Sequence, residues 1–111
     1  MLHLLHERAT ASQIKAMLEA NDGYIAVAVD VERGSAAGGG ELPADGAAVL
    51  LEAGSRQEQI WGAVWEPKTR TVRSRALINA HPQLKNGTRE IRDADIRGLV
   101  EAIVRRLLDV S

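Results

Sequence analysis

Apolar side chains recur at helical spacing in two separate parts of the chain, and each pattern predicts an amphipathic helix. The first helix is predicted over residues 11–22. It follows Thr10, and the spacing of Thr10 and Gln13 is that of a capping box, in which both side chains satisfy free N–H groups. The second helix is predicted to begin at Asp93 or Asp95, because a carboxylate there stabilises the positive end of the helix dipole.

Alternation of apolar and polar or small residues predicts the strands. Residues 24–33 alternate β-branched side chains with alanines and acids, which is typical of a strand with one buried side. Further strands are predicted at residues 2–6, 47–53, 58–65 and 70–78. A long glycine-rich loop is expected at residues 34–46, and a polar connection at residues 79–92.

The predicted order of elements is β-α-β-β-β-β-α, and it indicates an α+β fold in a single domain over residues 1–111. We expect a two-layer sandwich, in which two amphipathic helices cover one face of a mainly antiparallel sheet of four to five strands. The other face of such a sheet is left for water or for a partner.

Composition narrows the function classes. There is no cysteine, which excludes disulfides and thiolate catalysis, and no cofactor is predicted. Aromatic residues make up 3% of the chain and Phe is absent, so the expected core is aliphatic. No signal peptide or membrane-spanning segment is visible, and the expected location is the cytoplasm. Eleven of the 14 basic residues are Arg, which suggests a GC-rich bacterial genome.

Charge is divided unevenly along the chain. Residues 1–67 hold four basic and ten acidic side chains, whereas residues 68–92 hold seven basic side chains and one acidic one. This segregation is typical of a binding face, or of two parts of one fold that attract each other. The net charge of -1 lacks the basic excess usual for nucleic-acid binding, so a nucleic-acid partner is not favoured.

Trp61, Trp65, Arg73 and Arg75 are the predicted binding residues. If the aliphatic sides of both strands face the helices, these four side chains share the open face, where they suit a second copy or another protein. This arrangement needs an odd-numbered hairpin loop, such as residues 66–68, whereas the reverse assignment buries both tryptophans. Stacking of single-stranded nucleic acid on the tryptophans is an alternative.

The glycine-rich loop offers a second set of candidates, which comprises Gly38, Gly39, Gly40, Glu41 and Asp45. A phosphate-binding loop needs a following Lys and a helix, and a dinucleotide fingerprint needs spaced glycines before a helix. The sequence "GGGELP" has no Lys, and a strand is predicted after it, so we expect a mobile connection between strands. Its length still leaves a functional loop open.

Asp30, Glu32, Glu41 and Asp45 are a possible metal-binding set, because carboxylates are the ligands that Mg²⁺ and Ca²⁺ prefer. Together with His6 as a general base, they would make a metal-assisted hydrolase, which is the main alternative to a binding module. No recognised motif fixes their geometry. Solvated acids beside the basic segment are the simpler interpretation.

The chain also resembles a family of small bacterial proteins that is known only as a domain of unknown function. The resemblance rests on "GGGEL" at 38–42, Ala44-Asp45, "GSRQ" at 54–57 and "IWG" at 60–62. It implies that the loop, the following turn and the Trp61 region belong to one stand-alone domain. Members of that family carry His, Cys and Glu where this chain has Pro43, Gly46 and Ala47, which implies that thiol or imidazole chemistry is lost here.

Overall fold

The computed structural model describes residues 2–75 and 94–109. Its strands are β1 (His3–Leu5), β2 (Ile25–Asp30), β3 (Ser35–Gly40), β4 (Ile60–Glu66) and β5 (Thr71–Arg75). Its α-helices are α1 (Ala11–Leu18), α2 (Pro43–Glu52) and α3 (Ala94–Leu108), and a single 3₁₀ turn (Gln57–Gln59) precedes β4.

The five strands form one antiparallel sheet in the order β1-β3-β2-β4-β5. The predicted α+β class and the antiparallel sheet are therefore confirmed. Helices α1 and α3 pack on one face of the sheet, as predicted, where they join one large apolar cluster. Helix α2 packs on the opposite face and covers parts of β2, β3 and β4.

Two neighbouring segments differ from the prediction. Residues 47–53 lie mostly in helix α2 instead of a strand, and the glycine-rich segment that was expected to be a loop forms strand β3. The sheet thus keeps five strands, but the fifth element along the chain, predicted as a strand, is helix α2. Helix α2, which was not predicted, is the reason why the second face of the sheet is not open.

Glycine suits β3 because this strand is crowded from both sides. A Cβ on Gly38 would lie 3.1 Å from the backbone oxygen of Ala26. The register with β2 shifts between Ala26 and Val27, so that Gly39 is the extra residue of a β-bulge with a φ of 106°. Glycine tolerates that φ, whereas other residues are strained there.

Helix α2 begins with favourable residues and approaches the sheet closely. Pro43 is at its start, where a missing N–H is harmless, and the Asp45 carboxylate accepts the backbone N–H of Leu42 at 3.0 Å. A Cβ on Gly46 would lie 2.1 Å from the backbone oxygen of Ala37. The helix backbone therefore rests directly on the sheet at Gly46.

The two predicted amphipathic helices are confirmed. The capping box of α1 is present, with both hydrogen bonds between Thr10 and Gln13 at 2.9 and 3.1 Å. The helix ends at Leu18 instead of residue 22, because the next backbone N–H groups, those of Glu19 and Asn21, bond to the carbonyls three residues back. The Asn21 side chain donates to the Gly40 oxygen at 3.0 Å. The prediction for residues 76–92 lies outside the described residues.

Candidate functional site

Both tryptophans are core residues, and the predicted Trp/Arg face is wrong. Trp61 and Trp65 are 7% and 1% exposed, and they belong to the cluster beneath α1 and α3. The guanidinium of Arg105, on α3, lies 5.8 Å from the centre of the Trp65 ring. This cation–π contact is internal, so it offers no surface for a base or a peptide.

The number of residues in the β4–β5 hairpin explains the error. Glu66 pairs with Thr71, which leaves four residues in the turn, and an even number places Trp65 opposite Val72. Arg73 is consequently on the other side of the sheet, where its guanidinium lies 3.6 Å from the Glu66 carboxylate. Arg75 pairs with Gly62 in register, and its side chain lies outside the described residues.

The four carboxylates proposed as metal ligands lie at two ends of the sheet. Asp30 pairs with Ser35 at one end of β3, whereas Glu41 follows Gly40 at the other end. Strand β3 has six residues, so these ends are about 16 Å apart. One ion therefore cannot bind all four, and residues 2–75 and 94–109 contain no group of three His, Asp or Glu arranged for a metal.

Each of these acids has a different surrounding. Glu41 is exposed, and Asp45 caps α2. Glu32 is at the surface, where its carboxylate lies 3.8 Å from Arg56. Asp30 is completely buried, contrary to the expectation of solvated acids. The glycines that were grouped with Glu41 and Asp45 belong to β3 and serve its packing.

Asp30 is the centre of a polar network that the sequence did not reveal. Its Oδ1 accepts the backbone N–H groups of Glu32 and Arg33 at 2.9 and 3.0 Å, and its Oδ2 accepts the Ser55 hydroxyl at 2.6 Å. The Arg33 guanidinium donates to the carbonyls of Ala53 and Gly54 at the end of α2. The network thus ties the end of α2 to the end of β2.

The network is built to hold the fold. Protein donors occupy both carboxylate oxygens of Asp30, and the Ser55 hydroxyl is buried and engaged with one of them. A metal ion or a substrate would have to displace these bonds, at a cost typical of unsatisfied buried polar groups. His6 is exposed at the surface, and the buried Asp30 carboxylate is already engaged by Glu32, Arg33 and Ser55, so this pair does not have the arrangement expected of a general base and its acid partner.

Exposed leucines are concentrated on the side of the sheet that α2 covers. Leu4 is opposite Ala37, which packs against α2, so its side chain is on that side. The large exposed apolar side chains of the described residues are Leu2, Leu4, Leu42, Leu51 and Leu99. Leu42 precedes α2 and Leu51 is within it, whereas Leu99 is on α3 at the opposite face.

The two edges of the sheet have different chemistry. Strand β1, at one edge, has the sequence His-Leu-Leu and pairs only with β3 among the described strands. Strand β5, at the other edge, contains Arg73 and Arg75. Charged side chains discourage an edge from pairing with another chain, and β1 contains no Asp, Glu, Lys or Arg. The strand predicted at residues 2–6 is confirmed as β1, which lies at an edge of the sheet.

Comparison with known proteins gives a family but no activity. No curated protein and no solved structure matches the chain. None of the described helices is long and apolar enough to cross a bilayer. A family model described as "Protein of unknown function (DUF5674)" matches residues 3–107, which is nearly the whole chain. The protein therefore belongs to this family of unknown function, as the resemblance implied.

Proposed function

We propose that the protein is a small cytoplasmic interaction module of a bacterium, and that it self-associates through the β1 edge of its sheet. The observation that carries this proposal is the uncharged β1 strand, with exposed Leu4 and Leu2 beside it. An edge strand presents unpaired N–H and C=O groups to a partner strand, and apolar side chains add to the contact.

The composition of α2 supports a contact surface on the same side of the sheet. Its outward positions Ala44, Ala48 and Leu51 recur at helical spacing and are exposed. The two charged residues of the helix, Asp45 and Glu52, lie in its first and last turns. A helix that is apolar on all sides is usually covered, and here the sheet covers only one side.

The expected association is weak. Burying the exposed parts of two leucines from each of two copies contributes about 4 kcal/mol, at roughly 25 cal/mol per Å² of apolar surface. Association costs at least about 4 kcal/mol in lost freedom of motion, so the backbone hydrogen bonds of β1 supply most of the net stability. Because each backbone hydrogen bond adds only about 1 kcal/mol, the dissociation constant is expected in the millimolar range.

A charge placed on the edge tests the proposal directly. Leu4→Lys puts an ammonium group at the centre of β1, where two copies would bring like charges together. We expect light scattering over a concentration series that extends into the millimolar range to show association of the natural chain, and its loss in this variant. Circular dichroism checks that the variant remains folded.

Leu99→Lys is the matched control. Leu99 is 50% exposed and Leu4 is 37% exposed, so both changes place Lys at an accessible leucine. We expect the Leu99 variant to associate like the natural chain, because Leu99 is on the opposite face. Equal loss of association in both variants would assign the effect to net charge and would remove the β1 edge from the proposal.

A further inference from the structure

We infer that the partner of β1 is β1 of a second copy, in an antiparallel two-fold arrangement with Leu4 at the symmetry axis. This inference rests on the proposed self-association and specifies its geometry. It joins two five-stranded sheets into one continuous sheet. Such an interface is isologous, because each copy contributes the same surface.

The bounds of β1 determine the register. The strand comprises only His3–Leu5, so a two-fold axis allows all three residues to pair only when it passes through the middle residue. In this register Leu4 is opposite Leu4 of the second copy, and His3 is opposite Leu5. Directly opposite side chains are separated by about 5 Å between Cβ atoms, which brings the two leucines into contact.

The side on which Leu4 lies adds an apolar contact to the backbone pairing. Leu4 is opposite Ala37 in the sheet, and Ala37 belongs to the cluster beneath α2. A two-fold axis perpendicular to the sheet keeps both α2 helices on the same side. The paired leucines would therefore lie in the space between the two helices, where water is partly excluded.

Charge favours β1 over β5 for this arrangement. A β1 pair places no Asp, Glu, Lys or Arg opposite a like charge, because the segment from Leu2 to Leu5 contains none. A β5 pair centred on Arg73, the middle residue of that strand, would place two guanidinium groups opposite each other. Like charges directly opposite in a sheet are destabilising. The β1 edge is thus self-complementary, whereas the β5 edge repels its own copy.

Single cysteines test the register, because the chain has no cysteine of its own. Leu4→Cys places two thiols opposite each other, at a separation that a disulfide can bridge. We expect this variant to form a covalent dimer with oxidised glutathione about tenfold or more faster than Leu99→Cys at the same concentration, because pairing raises the local thiol concentration. Leu2→Cys should be slower than Leu4→Cys, since Leu2 would be opposite His6.

The outcomes separate this inference from the broader proposal. Faster disulfide formation by Leu2→Cys than by Leu4→Cys would overturn the Leu4-centred register. Association of the natural chain in light scattering, with Leu4→Cys no faster than Leu99→Cys, would overturn the β1–β1 pairing and leave self-association through another surface. A natural chain that stays monomeric at every concentration would remove both.

Discussion

The two faces of the sheet are packed in different ways. Beneath α1 and α3, large aliphatic side chains and two tryptophans form one cluster. Beneath α2, the sheet presents mainly small side chains, and the cluster is limited to Ala28, Ala37, Leu50 and Ile60, with Ala47 and Val49 beside them. The first face is held by buried apolar area, whereas the second is held by close backbone contact and by hydrogen bonds around Asp30.

The two faces therefore respond to different kinds of substitution. On the α1/α3 face, stability depends on the volume of the side chains, because buried area supplies the free energy. On the α2 face, stability depends on the absence of a side chain at Gly46 and on the polar bonds at the end of the helix. The outward surface of α2 is also apolar at Ala44, Ala48 and Leu51, and the proposed interaction uses this side of the molecule.

Trp65→Ala is expected to have the largest effect on stability. Removing this buried ring leaves a cavity under α3 and ends the contact with Arg105, at a cost of about 3–5 kcal/mol in the free energy of unfolding. Urea denaturation at one fixed protein concentration measures it. Val64→Ala, on the other side of the same strand, should cost less than about 1 kcal/mol, and an equal loss in both would contradict the unequal packing.

Gly46→Ala is expected to cost about 2 kcal/mol, although alanine favours helices. The added methyl group would overlap the Ala37 carbonyl oxygen, so α2 must move away from the sheet. Gly98→Ala is the matched control in α3, where a Cβ meets no atom within 4 Å. It should stabilise the protein by up to about 1 kcal/mol. The same sign for both changes would refute the close approach of α2.

Ser55→Ala is expected to cost about 1.5 kcal/mol, because the buried Asp30 carboxylate loses the donor at 2.6 Å. The exposed Ser12 provides the control, and its change to alanine should alter stability by less than about 0.5 kcal/mol. Chemical denaturation of both variants gives the comparison. No difference between them would mean that the Asp30 network does not hold α2 in place.

Much of the fold could be predicted because α1 and α3 each bury one side, which leaves a periodic pattern. Strand β2 is buried on both sides, yet it alternates β-branched side chains under α1 and α3 with alanines on the α2 side, so its pattern is also periodic. Helix α2 leaves no such pattern, since its outward positions are apolar and Gly46 interrupts it. Pro43 and Asp45 were the available signals of a helix start. Strand β3 could not be recognised, because glycine disfavours strands unless crowding requires it, and that crowding exists only in the folded sheet.

The candidate site was less predictable than the fold. The side on which Trp61 and Trp65 lie depends on whether the hairpin turn has an odd or an even number of residues. The sequence "EPKT" does not determine that number. The burial of Asp30 depends on Ser55 and Arg33, which approach it only through the turn and the end of α2. A weak local signal existed, since Asp30 and Gly34 are typical turn residues, and the Asp30 carboxylate does accept the backbone N–H groups of Glu32 and Arg33 in this turn.

The mass of the natural chain in solution tests the proposed interaction most directly. One chain has a mass of 12.0 kDa. Light scattering across increasing concentrations should give a mass that rises toward twice this value, and Leu4→Lys should hold it at that of one chain. A constant mass of one chain for the natural protein, up to the highest soluble concentration, would contradict self-association through the β1 edge.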